Sequence, residues 1–428
     1  MYEFAGADHW EKTTVFKLAR WKNGLAFKNI NFSATGRPVI KIAELKSGIT
    51  AQTKFTDSVY DKSVFVKSGD LLFSWSGNPD TSIDVFRWQG PEGWLNQHIY
   101  KVTPNQGVDE DFLFFLLRSM RKCFAEIARN KQTTGLGHVT LQDFKNMAVG
   151  LPSKEEQRKI VSLVLPVQDK IELNRRMNAT LEAMARALFR DWFIDFGPTR
   201  AKMNGTAPYL APELWDLFPD KLDAESGLPV GWEERPFVDF LTIIGGGTPK
   251  TKVPEYWGGD IPWFSVVDTP AKGSVFVWNT QKTITERGIA ESSARIITSG
   301  NTIITARGTI GNIAMAARPM AFNQSCYALS AATPVGDIFI YLATEHMVEQ
   351  LKAMAHGSVF ATITRATFES LSFPWVGEKM FAAFENLVEP VFMLIKANGI
   401  ESASLARIRD LLLPKLMSGA IRLTEAVA

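Results

Sequence analysis

Two long stretches of the chain carry mostly apolar residues at alternating steps of three and four. The first runs through Ile160, Val164, Val167, Ile171, Asn174, Asn178, Leu181, Ala185, Leu188 and Trp192. Adding 224 to each number gives Phe384, Val388, Val391, Ile395, Asn398, Ser402, Leu405, Arg409, Leu412 and Leu416. This spacing puts one stripe on one helix face and predicts a coiled-coil seam. Pro152 precedes Ser153 and Glu156, whose spacing is that of a capping box, so a helix is expected to start there. Both seams carry an asparagine at the same place, 174 and 398, where a polar residue fixes the register of paired helices. Antiparallel packing of the two seams is the expected arrangement; the plainer alternative buries each helix in its own domain. Pro166 and Pro390 also correspond. A proline inside a helix removes one hydrogen bond and crowds the carbonyl four residues back. Each seam is therefore expected as a short helix followed by a longer one.

The remaining sequence is rich in short β-type runs separated by Gly and Pro. Val64-Phe65-Val66, Leu71-Leu72-Phe73 and Ile99–Val102 are examples, as are Arg295-Ile296-Ile297 and Thr302–Thr305. Helical periodicity interrupts them at 111–128 and 337–355. These runs repeat as well. Trp10-Glu11 returns as Trp232-Glu233, Ser68–Gly77 as Ser299–Gly308, Asn96-Gln97 as Asn323-Gln324, and Val139-Thr140 as Ile363-Thr364. The shifts drift between 222 and 231, as small surface insertions would produce. A repeat unit of about 200 residues is too long for a solenoid and reads as a duplicated domain. The predicted fold class is α+β: two pseudo-repeated mixed α/β globular domains separated by two long antiparallel coiled-coil helices. The expected boundaries are 1–152 and 232–376 for the globular domains, and 153–196 and 377–428 for the helical regions. Residues 197–231, with Pro198, Pro208, Pro212, Pro219 and Gly227-Leu228-Pro229, are expected to be a connector.

Composition adds mostly exclusions. Hydrophobic residues make up 46% of the 428, enough for more than one core. A net charge of +2 is too small to identify a nucleic-acid binder. Cys123 and Cys326, far apart and outside any C-x-x-C, argue against a disulfide framework and fit a reducing cytoplasm. The first eight residues have neither a basic start nor an apolar core, so no secretory leader is expected. No apolar run reaches membrane-spanning length.

The search for catalytic motifs is negative. Gly77-Asn78-Pro79-Asp80 lacks the second proline and the aromatic residue of an adenine methyltransferase motif and reads as a turn. Gly245-Gly246-Gly247-Thr248-Pro249 lacks the Lys-Ser/Thr of a phosphate loop and is expected to be a flexible loop beside a recognition surface. The five histidines form no pair at helical ligand spacing, so no metal site is expected. What remains is polar loop chemistry suited to reading bases, since Arg engages guanine and Asn or Gln adenine. Asn96 and Asn323, kept in both repeats, are more simply architectural. Better readers are equivalent loops that differ: Trp75 and Ser76 against Ala306 and Arg307, and 131–138 against 353–360.

Leu151–Ile160, Asp169–Asn178 and Leu188–Phe196 resemble successive parts of the central conserved helix of type I restriction enzyme specificity subunits. Leu411–Gly419 resembles the distal conserved region. The resemblance spans the chain; Pro166 departs from it. It implies two target recognition domains, each reading half of a split site in double-stranded DNA. It also implies paired helices that set the spacer and dock two methyltransferase subunits, and two further restriction (motor–nuclease) subunits. The chain would then be a cytoplasmic, non-catalytic subunit without a cofactor, S-adenosylmethionine, ATP and Mg being carried by the partners. The DNA-contact candidates are Lys46, Ser74, Trp75, Ser76, Asn78, Lys131, Thr134 and His138 in the first repeat. In the second they are Lys250, Lys272, Arg307, Thr309, Ser358 and Arg365. The helix-pairing and partner-docking candidates are Ile160, Val164, Ile171, Asn174, Leu181, Leu188 and Trp192, with Val388, Ile395, Asn398, Leu405, Leu412 and Leu416. A single-chain methyltransferase or nuclease with similar recognition domains is the alternative, disfavoured by the missing catalytic motifs.

Overall fold

The computed structural model describes residues 4, 6–132, 136–270, 273–356 and 362–421. The chain divides into two compact units, Met1–Ile171 with Ala403–Ala428, and Glu172–Ser402.

In the first unit a four-stranded antiparallel sheet has the order 19–23, 99–104, 71–74, 84–87. A second sheet has the order 55–56, 37–40, 93–95, 65–66, its central pair parallel. Two strand pairs, 11–14 with 148–151 and 76–77 with 137–138, accompany these sheets. The second unit repeats this plan. Its first sheet is ordered 241–245, 326–331, 302–305, 313–316, 276–277, and its second 282–284, 257–264, 320–322, 296–297, again with a parallel central pair. Strands 233–236 and 372–375 form the matching outer pair.

The pleat explains why Leu71–Ser74 and Thr302–Thr305 are buried from end to end. Successive side chains of a strand point to opposite faces. Leu71 and Phe73 enter a core shared with helices Glu110–Ser119 and Arg121–Asn130, while Leu72 enters the core of the second sheet. In the second unit Ile304 and Ile303 divide in the same way, Ile304 facing the core that contains helix Asp337–His356. The periodicity read at 111–128 is thus two helices that meet at Met120.

Both seams form helices, Lys154–Phe193 and Glu378–Met417. Ser153 and Glu156 make the capping box: the Ser153 backbone N–H donates to the Glu156 carboxylate at 3.2 Å, and the Glu156 N–H to Ser153 Oγ at 3.3 Å. The break expected at the prolines does not occur, because each helix runs through its proline unbroken. Ile160 and Val164, and Phe384 and Val388, lock the turns on the near side of each proline into a core. That packing offsets the lost hydrogen bond. The segment 197–231 is likewise not a loose connector. It contains helices Gly197–Met203 and Pro212–Trp215, and Trp215, Phe218 and Leu228 are buried in the second unit.

Within each unit the two helices run antiparallel. In the first, Arg409 donates to Gln168 Oε1 at 2.7 Å, and Ile160, Val161 and Val164 share a core with Leu413, Leu416 and Met417. In the second, Asn174 Nδ2 donates to Glu401 at 2.8 Å and to the Asn398 carbonyl at 3.4 Å. Asn178 Nδ2 donates to the Ile395 carbonyl at 3.2 Å, and Asn398 Nδ2 to Asn178 Oδ1 at 2.9 Å. All three asparagines are buried. A buried polar group costs most when it loses its partner. Asn398→Leu is therefore expected to lower stability by about 1–3 kcal/mol. The Asn178→Leu/Asn398→Leu double variant should recover part of that loss in a thermal double-mutant cycle. A single variant that unfolds like the parent would contradict this register.

Candidate nucleic-acid interface

The loops that differ between repeats occupy the same backbone setting. In the first unit the Trp75 N–H donates to the His98 carbonyl at 3.2 Å, and the Val139 N–H to the Trp75 carbonyl at 2.9 Å. In the second, the Ala306 N–H donates to the Ser325 carbonyl at 2.8 Å, and the Ile363 N–H to the Ala306 carbonyl at 2.9 Å. Ser76 faces His138 across an antiparallel pairing, and Arg307 faces Thr362. The segment after residue 74 is thus brought beside 136–139, and the segment after 305 beside 362–363. One scaffold presents Trp75, His98 and His138 in one repeat and Ala306, Ser325 and Thr362 in the other. His98 and Ser325 follow the repeated Asn-Gln pair and so correspond already in the sequence; the backbone bonds place them beside Trp75 and Ala306.

Arg307 and Thr309 are exposed, on a turn fixed by bonds from Thr305 N–H to the Asn312 carbonyl (2.9 Å) and Gly311 N–H to the Thr305 carbonyl (2.8 Å). Among the described residues no carboxylate pairs with Arg307. Trp75 is half-buried, stacked on Tyr100 with ring centroids 5.7 Å apart, and its Nε1 donates to Asn23 at 3.0 Å. Its ring also contacts His98 and His138. Burial, with His138 alongside, lowers the His98 pKa, which keeps that imidazole neutral near pH 7.

Other candidates fare differently. Ser74 is fully buried in its strand and Ser76 is 4% exposed, so neither reaches a base. They sit on the inward side of a sheet, which overrides their polarity. Asn78 is exposed, but its Oδ1 accepts from the Asp80 and Thr81 N–H groups and shapes a turn. Lys131 is paired with Asp143. Lys46 donates to Ser82 Oγ at 3.2 Å, beside that turn. Lys250 and Arg365 are exposed, Arg365 opening a helix capped by Thr364. Thr134, Lys272 and Ser358 lie outside the described residues.

The Gly245–Pro249 segment is not a flexible loop. The Gly247 N–H donates to the Phe322 carbonyl, and Trp263 Nε1 to the Gly247 carbonyl. A methyl group on Gly246 would lie 2.1 Å from the Asn323 carbonyl oxygen, and one on Gly24 2.2 Å from that of Asn96. The Asn-Gln pair kept in both repeats therefore marks the same close backbone crossing, which is architecture.

On the helices most seam residues face inward: Ile160, Val164, Ile171, Asn174, Trp192, Val388, Ile395, Asn398 and Leu416 are buried, and Leu181, Leu188 and Leu405 partly so. Late in each helix the buried position falls one residue beyond the expected one, on Phe189 rather than Leu188 and on Leu413 rather than Leu412. A straight helix turns every 3.6 residues, and the 3.5-residue pattern drifts off its face. The seam is taken up both by helix pairing and by the cores of the globular parts, which leaves the outer faces of the helices exposed. In the first unit these carry exposed Leu163, Ile408, Leu411 and Leu412; in the second they carry Leu173, Met184, Met393 and Ile400.

Among the described residues no group of three or more His, Cys, Asp or Glu is placed to hold a metal, and no helix is long and apolar enough to cross a membrane.

Comparison with known proteins agrees with this layout. The family described as type I restriction modification DNA specificity domain matches twice, at residues 8–183 and 229–377. The chain is 27% identical over 404 residues to the type I restriction enzyme HindI specificity subunit of Haemophilus influenzae, covering 83% of this chain and 87% of that one. It is 20% identical over 419 residues to the putative MjaX specificity subunit of Methanocaldococcus jannaschii, covering 94% and 91%. The type I restriction-modification S subunit of M. genitalium shares the fold, with a TM-score of 0.52 at 15% identity over 99% of this chain and 100% of that one.

Proposed function

Because the chain belongs to the type I restriction-modification DNA specificity family, we propose that each of its repeats reads one half of a bipartite site in double-stranded DNA. As a specificity subunit it is a non-catalytic recognition protein. The observation that carries the half-site reading is the pair of equivalent loops, held by the same backbone bonds yet bearing different side chains. Two identical readers would give a symmetric site; two different readers on one scaffold suit an asymmetric one. We assign recognition to 1–152 and 232–376, and spacing and docking to 153–196 and 377–428. Residues 197–231 join them.

In this reading the exposed apolar residues of the long helices receive two methyltransferase subunits. These bring S-adenosylmethionine, and two restriction subunits bring ATP and Mg. Isolated exposed leucines are ordinary on a protein surface. Leu163 and Leu387, and Met184 and Ile408, are exposed at repeat-equivalent positions, which suits two copies of one partner.

The helices set the gap between half-sites. The insertion that tests this must respect the register, so seven residues are added after Asn178 and seven more before Asn398. Each helix lengthens by about 10 Å, roughly three base pairs. Methylation mapping is expected to return both half-sites unchanged with a wider gap. Altered half-site bases with the old gap would refute the role of the helices as a ruler.

A further inference from the structure

In the first unit a cleft of about 650 Å³ lies between helix Arg121–Asn130, the end of Glu110–Ser119, and the last turns of the second long helix. Five cations line it, Arg118, Arg121, Lys122, Arg129 and Arg409, against three carboxylates, Asp80, Glu126 and Asp410. Three of the cations are engaged: Arg121 with Asp84 at 3.3 Å, Arg129 with Asp80, and Arg409 with Asp410 at 2.7 Å. Among the described residues Arg118 and Lys122 have no ion pair. Arg118 is half-buried, its guanidinium 5.9 Å from the Phe114 ring. Burial, and then the charge of Arg409, lower its pKa, against the pull of Asp84 and Asp410. Arg409 is held in place by its bond to Gln168.

The second unit lacks this excess charge. Counted from the first residues of their helices, Glu345 of Asp337–His356 stands where Arg118 does. By the shift of 224, Ala185 and Arg186 stand where Arg409 and Asp410 do. There Arg186 binds Glu345 and Glu182 directly and closes the place with an ion pair. In the first unit the charges of that pair are exchanged, Arg118 and Asp410 standing for Glu345 and Arg186, and Arg121, Lys122, Arg129 and Arg409 are added around them. That surplus of cations over carboxylates points to an anion from outside.

We propose that this cleft takes a phosphodiester of the bound DNA, in contact with Arg118 and Lys122. The proposal rests on the half-site reading and adds a backbone contact to it. DNA is favoured over an acidic protein segment by what forms the wall. Asp80 lies in the turn that follows the Ser76–Gly77 strand, and Arg121 donates to the Asp80 carbonyl at 2.9 Å while Arg129 holds its carboxylate. The cleft is thereby fastened to the loop that carries the first reader, and Lys46 approaches the same turn through Ser82. Ser76 and Gly77 pair with His138 and Gly137, so the turn that walls the cleft follows directly on the strand beside Trp75 and His138, where a phosphate next to the bases being read is within reach. Phosphate contacts set affinity and register without reading sequence.

The test uses the full chain and its Arg118→Gln/Lys122→Gln variant, titrated with specific and scrambled duplexes over a range of salt. For each phosphate that the variant no longer neutralises, the slope of log affinity against log salt is expected to become shallower by about 0.9 on both duplexes. The methylated sequence in the host should be unchanged. An unchanged slope on both duplexes overturns the proposal. So does a variant that binds DNA like the parent but no longer copurifies with a methyltransferase subunit, since the cleft then serves an acidic protein segment. If the double variant unfolds early, the exposed Lys122→Gln substitution alone decides by the same slope. A parent chain that fails to prefer the specific duplex refutes the half-site reading, and the slope still decides the cleft.

Discussion

Phe193→Ala is expected to destabilise the second unit by about 3–5 kcal/mol, the cost of removing a fully enclosed phenyl ring. Phe193 has no exposed surface, and its ring meets Phe384 at 4.9 Å, Phe339 at 5.1 Å and Trp232 at 6.3 Å between centroids. These neighbours come from the second long helix, the recognition-domain helix and the start of the second repeat. One ring at the end of the first long helix therefore joins three elements. For a unit of this size the loss corresponds to a melting temperature lower by roughly 10 °C. Leu163→Ala, at a position 48% exposed on the other part of the same helix, should stay within about 0.5 kcal/mol. Equal melting shifts for the two variants would show that Phe193 does not join these elements.

The helices were legible in the sequence because burial is written directly into their spacing: Ile160, Val164, Ile171 and Asn174 alternate by the geometry of a turn, and Ser153 and Glu156 cap by their own local bonds. The repeat was legible for the same reason, since equal strands need equal residues. Tertiary settlement was not. Pro166 looked like a break because the cores that hold the helix on both sides of it are assembled from distant residues. Ser74 and Ser76 looked like readers because polarity is visible in a sequence and the face of a sheet edge is not. The 197–231 segment looked loose because prolines and glycines mark turns without saying whether Trp215 and Phe218 lie beneath them. The basic cleft could not have been found at all, as Arg118 and Arg409 are 291 residues apart.

Of the proposed readers, Arg307 has the clearest chemistry. It is exposed, unpaired among the described residues, and raised on a turn whose backbone is pinned on both sides. A guanidinium so placed presents two parallel donors to the O6 and N7 of guanine. Arg307→Ala should then lose about 1–3 kcal/mol of discrimination, which is about 5- to 150-fold, at a position in one half-site. Binding to scrambled duplex should barely change, because the residue specifies and does not merely attract. The first repeat lacks this arginine and holds Ser76 at the equivalent place, so its half-site should be read as before. A uniform loss on specific and scrambled DNA would make Arg307 a phosphate contact instead.

The central claim, two different readers on one repeated scaffold, is tested most directly by mapping adenine methylation in a host that carries this chain with its methyltransferase subunits, first as the parent and then as Arg307→Ala. The account predicts one asymmetric site made of two blocks with a fixed gap, and in the variant a relaxed base in only one of the blocks. A single uninterrupted site in the parent, or equal relaxation of both blocks in the variant, would contradict it.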